Sequence, residues 1–186
     1  MKKQNIIIVV YIISIVVSSI LVTNYMNQEI GNELFPTSIS KKIEMTKESQ
    51  VKKINIYCSM ANIKNYPIIL SEYISSIKII NQTENIVFAE EEIENMWITT
   101  KVLAKHTFFP YDRHVIEIID GDAESSKIDI TFEKIESGTR LKSKIDMELK
   151  GLLVVLGLIP NEQLNHAIIT VFSPFENDAM NKDYSC

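Results

Sequence analysis

Alternation of apolar and polar positions is the strongest pattern in the middle of the chain. From Lys127 to Ile135, Ile128, Ile130 and Phe132 oppose Lys127, Asp129, Thr131 and Glu133. From Thr139 to Leu149, Leu141, Ile145, Met147 and Leu149 oppose Lys142, Lys144, Asp146 and Glu148. Between Tyr111 and Ile119, Ile116 and Ile118 oppose Glu117. Successive side chains of a strand point to opposite faces, so this period of two predicts strands with one apolar face. Weaker versions run from Ser38 to Met45, Ile74 to Ile80, Ile86 to Ile93 and Met96 to Phe108. The breaks are short, as at Asp120-Gly121-Asp122 and Ser137-Gly138, and predict an antiparallel meander. A sheet apolar on one side only must be covered on that side. Within Ile86 to Ile93, Glu90, Glu91 and Glu92 read as a solvated edge.

Helical spacing appears in two places. In "TKESQVKKINIYCSMA", Val51, Ile54, Cys58 and Ala61 recur on one stripe, with a start at Thr46 and Glu48. Pro67 stops this helix, with Asn65 and Tyr66 at the break. Near the C-terminus, the apolar run Gly151 to Pro160 leads into a stripe of Leu164, Ile168, Val171, Phe172 and Phe175. This second helix is the expected cover for the sheet. Asn161 is its expected cap, Pro174 is expected to kink or end it, and residues 177–186 form a polar, frayed tail.

The N-terminus follows neither pattern. Ile6 to Val22 carries no charge, Lys2 and Lys3 precede it, and Glu29 and Glu33 follow. A helix of this length rises about 25 Å, near the lower limit for a bilayer core. The expected organisation is a cytoplasmic N-terminus (1–5), a transmembrane anchor or signal peptide (6–22), a linker (23–37), a domain (38–176) and the tail (177–186). Either form of the N-terminal segment places the domain outside the cytoplasm: at the membrane if retained, secreted if cleaved. Asn81-Gln82-Thr83 is a glycosylation triplet compatible with export, and weak as a signal.

Composition narrows the classes. The chain has 186 residues and a formal net charge of −5, so there is no general electrostatic case for nucleic-acid binding. The two cysteines, Cys58 and Cys186, form no closely spaced pair, which argues against a zinc module or a disulfide scaffold. Cys58 reads as a small core residue on its helical stripe; whether the two cysteines meet is left open.

Three stretches carry a family resemblance. "MANIKNYPIILSEYISSIKII" resembles an Asp-x-x-x-Tyr-Pro segment, with Asn62 where an aspartate is common. "IDITFEKIESGTRLKSKIDMELKG" resembles paired strands around a Gly-Thr-Arg turn, here Gly138, Thr139 and Arg140. The Leu-rich C-terminal helix completes the order. Together they resemble the START-like (SRPBCC) superfamily, in its polyketide-cyclase and coenzyme-Q-binding branch. The resemblance implies an α+β helix-grip fold: a curved antiparallel β-sheet wrapped around a long C-terminal α-helix, here preceded by one transmembrane helix. It also implies a cavity between sheet and helix. Tyr66 and Pro67 would then form a rigid rim at one mouth of that cavity, or simply a packed turn.

Candidate polar groups for such a cavity follow from strand parity. A hairpin tip centred on Pro110 sets His106 opposite His114, both facing the apolar side. No carboxylate of matching parity is identified nearby, so no metal site is expected. Thr100 and Ser143 share the inward parity, Arg113 and Arg140 are expected outward or at turns, and Trp97, of opposite parity to Ile98 and Val102, reads as an exposed packing or membrane-proximal aromatic. The expected ligand-contact set is Tyr66, Pro67, Thr100, His106, His114, Ser143, Ile168 and Phe172. No nucleophile motif or phosphate loop is present, so no catalytic residue and no cofactor is assigned. Three functions remain open: binding an apolar lipid, quinone or isoprenoid; a cyclase- or hydratase-like enzyme using His106 and His114; or a protein-interaction domain with a filled core.

Overall fold

The first strand of the chain lies beside the last. This computed structural model describes residues 36–95, 98–184 and 186. Thr37–Cys186 forms one compact unit. Its order is β1 (Ser38–Ser49), α1 (Lys53–Ala61), a 3-10 turn (Ile63–Asn65), α2 (Tyr66–Ile69), β2 (Ile74–Gln82), β3 (Ile86–Asn95), β4 (Ile98–Phe109), β5 (Arg113–Asp120), β6 (Lys127–Ile135) and β7 (Gly138–Lys150). A second 3-10 turn (Gly151–Leu153), α3 (Val154–Gly157) and α4 (Asn161–Met180) follow. The expected anchor at Ile6 to Val22 and Trp97 lie outside the described residues. Among the described residues, no helix is long and apolar enough to cross a membrane.

All seven strands are antiparallel, in the order β1-β7-β6-β5-β4-β3-β2. β2 through β7 form the expected meander, while β1 and β2 occupy opposite edges. The α1–α2 segment therefore carries the chain from one edge to the other. Register shifts at Ile74/Ser76 and Ile79/Asn81 in the β2–β3 pair, and at Leu103/Ala104 in β4–β5, bend the ladder.

The apolar face predicted by alternation is the buried one. Val87 and Ala89 of β3, Val102 and Ala104 of β4, Ile130 and Phe132 of β6, and Leu141 and Ile145 of β7 are buried. Val87, Ala89, Ile130, Phe132 and Leu141 share one core cluster with Phe172, Phe175 and Ala179 of α4 and Ile56, Tyr57 and Met60 of α1. The outer face is laced with exposed or half-exposed ion pairs such as Arg140–Glu48, Lys142–Glu133 and Lys105–Glu117.

Four expectations are corrected. β1 runs on to Ser49, so the helix begins at Lys53 rather than Thr46. Met45, Lys47 and Ser49 continue the inward parity, and Lys47 keeps its ammonium neutralised by Glu176 of α4 at 2.6 Å. Ile54 lies off the buried stripe and is 38% exposed. Pro174 does not end its helix: α4 continues to Met180, because Phe175 and Ala179 beyond the proline are buried in the core. The tail is tied rather than free. A Cys58–Cys186 disulfide joins it to α1. The Asn55 amide donates to the carbonyls of Ala179 and Lys182.

One turn shows why its residue is there. Gly138 opens β7 at φ +144°, and an added Cβ would stand 2.2 Å from the Ser49 carbonyl oxygen. Thr139 then donates its hydroxyl to the Val51 carbonyl at 2.8 Å. The Gly-Thr pair thus pins the corner where β1 turns into α1.

Candidate functional site

The inner face of β3, β4 and β5 carries a buried polar chain. Glu91 shares the parity of Val87 and Ala89, so it points inward between Glu90 and Glu92, which point out. It is 6% exposed. Glu92 meets Ser76 and Lys101 on the outer side, so only the outward members of the acidic run are solvated. Reading all three glutamates as one solvated edge is corrected at Glu91, and with it the reading that no carboxylate is available.

Glu91 Oε1 lies 2.8 Å from His106 Nε2, and His106 Nδ1 lies 3.1 Å from His114 Nε2. Both imidazoles are fully buried. His114 Nδ1 at the far end has no partner. The histidines are not directly opposite, as a tip at Pro110 would require. The turn is centred on Tyr111, which adopts φ +65°, so Phe108 pairs with His114 and His106 with Ile116. The two rings therefore approach on a diagonal, with centroids 5.2 Å apart, and Phe108 stacks on His114 at 4.5 Å.

Tyr66 completes the cluster. It is buried in the core, edge-on to His106 at 6.3 Å and to Phe175 at 5.2 Å. Its hydroxyl donates to the Met60 carbonyl at 2.6 Å, which ties α2 back onto the end of α1. Tyr66 thus packs edge-on against the buried His106, and Pro67 sits half-buried in the first turn of α2.

The electrostatics follow from burial. Desolvation, then the neighbouring His106, pushes the His114 pKa well below the usual imidazole range. Desolvation, then the Glu91 charge, pushes the Tyr66 phenol well above its usual value. Both shifts favour the neutral ring.

The remaining expected residues fall in three places. Ser143 lies on one cross-strand row with Ile130 and His114, is 2% exposed, and its Oγ also has no partner. Ile168 and Phe172 of α4 pack against the core across from the sheet. Thr100 is half-buried, six residues from His106 along β4. At about 3.3 Å per residue that is roughly 20 Å, so Thr100 is remote from the histidines and lies past Glu91, whose register partner is Val102. Arg113 and Arg140 face outward as expected, paired with Asp129 and Glu48. Glu91 is the member that sequence reading missed, and its parity with Val87 and Ala89 was the available signal.

His106 engages both ring nitrogens within this line. The three side chains are strung in sequence rather than converging on one point, and among the described residues no group of three or more His, Cys, Asp or Glu is placed to hold a metal ion.

Comparison with solved structures decides what kind of framework holds this cluster. A START superfamily protein from Mycobacterium smegmatis superposes with a TM-score of 0.57 at 12% identity, over 77% of this chain and 97% of that one. The ZhuI aromatase/cyclase from a Streptomyces strain gives 0.59 at 8% identity, over 76% and 94%. Norcoclaurine synthase from Thalictrum flavum, solved with dopamine and hydroxybenzaldehyde, gives 0.59 at 12% identity, over 83% and 100%. This is the START-like helix-grip fold. No family model and no curated protein sequence matches the chain. At these identities the likeness extends to the fold alone, and function has to be argued from the site.

Proposed function

We propose that the domain binds an apolar small molecule, of the lipid, quinone or isoprenoid kind, between the inner face of the sheet and α4. The observation that carries this reading is polar groups left waiting in an apolar interior. His114 Nδ1 and Ser143 Oγ are buried, unpartnered and on one row of the inner face. Folded proteins pair nearly all such atoms, and an apolar site uses a few of them to orient its ligand. A protein of this fold having been solved with two small aromatic molecules supports the reading by analogy.

We also propose that Ile6 to Val22 tethers the domain to the membrane, or exports it, and that the domain lies outside the cytoplasm. The Cys58–Cys186 disulfide supports this independently, since structural disulfides persist in oxidising compartments.

A second reading draws on the relay. A carboxylate bonded to one imidazole that is bonded to another can hold and move a proton, which suits a cyclase- or hydratase-like enzyme. In that case His114 would be the group facing the substrate.

Native mass spectrometry of the purified full chain, followed by solvent extraction, tests the binding reading. A co-purifying apolar molecule is expected. A bare mass, with no uptake when lipids and quinones are offered, overturns it in favour of a filled-core interaction domain.

A further inference from the structure

The direction of the buried relay limits what its open end can accept. A carboxylate is an acceptor only, so beside Glu91 the His106 Nε2 carries the proton and donates it. With both rings neutral, His106 Nδ1 is then a bare lone pair, and His114 Nε2 is the donor across the 3.1 Å contact. That leaves His114 Nδ1 unprotonated, a second lone pair with no donor near it. Each ring fixes the tautomer of the next, and Glu91 fixes the first.

The surroundings reinforce the assignment. The other titratable group against the relay is Tyr66, whose hydroxyl is already committed to the Met60 carbonyl and cannot turn to His114. Phe108 covers one face of the His114 ring, and Ile130 stands directly opposite on β6. The lone pair is therefore set in an aromatic and aliphatic wall, with Ser143 Oγ the other unpartnered polar atom on its row.

We propose that the molecule bound here carries a hydroxyl group, as a phenol or an apolar alcohol does, and that its O–H donates to His114 Nδ1. The inference rests on the apolar-ligand reading above and adds the ligand's defining group. A hydrocarbon leaves the lone pair unsatisfied. A quinone, ketone or ester brings another acceptor to face it. Either mismatch forfeits one hydrogen bond in a dry site, worth about tenfold in affinity.

A matched pair of probes tests this on the full chain: 1-naphthol, and 1-methoxynaphthalene, in which a methyl group replaces the hydroxyl hydrogen. 1-Naphthol is expected to bind about tenfold more tightly. The preference should vanish in His114→Phe, with the methoxy compound still bound. Nitrogen-15 NMR of the wild-type histidine rings gives a readout that does not depend on a variant folding. It should show His114 Nδ1 unprotonated without ligand, and its signal should move when 1-naphthol binds. Equal binding of the two probes overturns the hydroxyl assignment and leaves the apolar site standing, as does a protonated Nδ1 or one whose signal 1-naphthol leaves unmoved, as a tightly held water would. Failure of both probes to bind overturns the hydroxyl assignment, and the apolar-ligand reading falls with it only if lipids and quinones are not taken up either.

Discussion

Glu91 and His106 lie on adjacent strands, four rungs apart in register, yet their side chains meet at 2.8 Å inside the domain. Removing the carboxylate leaves a buried N–H with nothing to donate to. Glu91→Ala should therefore cost about 3 kcal/mol, seen as a lower urea midpoint with an unchanged slope. Glu91→Gln should cost distinctly less, because its amide oxygen still accepts from Nε2. Equal losses in the two variants would mean that packing, not the hydrogen bond, holds this position.

His114 makes stability depend on pH in a definite direction. Its folded pKa lies below the ordinary imidazole value of about 6.5, so the unfolded chain takes up a proton that the folded chain refuses. The contribution is complete above about pH 6.5 and is lost as pH falls from there toward the folded pKa, at up to about 1.4 kcal/mol per pH unit. Urea midpoints from pH 8 down to about pH 5 should show this decline. The decline should flatten in His114→Phe.

The Cys58–Cys186 bond closes a loop spanning 128 positions of sequence. Replacing both cysteines with serine should lower stability by about 2–4 kcal/mol. Hydrogen exchange should locate the loosening at the end of α4 and in the tail. It should remain partial there, because Asp178 also accepts hydrogen bonds from Ser59, Lys182 and Tyr184.

Gly138→Ala should be among the most damaging single changes. The backbone there is at φ +144°, and the new methyl would press on the Ser49 carbonyl from 2.2 Å. A loss of more than about 2 kcal/mol is expected in thermal unfolding. Ser137→Ala, one position earlier and exposed, should be nearly neutral.

Much of this architecture was legible from periodicity alone, and the exceptions have physical causes. β6 was readable to the residue because Ile128, Ile130 and Phe132 are apolar wherever the strand faces in. β1 was cut short because Lys47 and Ser49 face inward as polar residues, one neutralised by Glu176 and the other accepting from the Val51 amide. Glu91 was hidden in the same way: a charge at an inward position breaks the apolar half of the pattern, and its partners lie 15 and more residues away. The His106–His114 offset depended on which residue occupies the left-handed turn position, and Tyr111 gives little warning of that. The disulfide could not be read from spacing, because contact between Cys58 and Cys186 exists only once α4 lies across α1.

The pairing of β1 with β7 also sets a clock. About ninety residues separate the end of one strand from the start of the other. At a synthesis rate of about 5–20 residues per second, β1 waits roughly 5–20 seconds for its only neighbour in the sheet. During that interval Ile39, Ile43 and Met45 form an unpaired, half-apolar edge open to any other strand. The meander from β2 to β7 can zip up in order as it emerges, but the oldest strand must be the last to dock. Slow, late-closing folding is the expected kinetic signature of this topology, and crowding between nascent chains is its point of greatest risk.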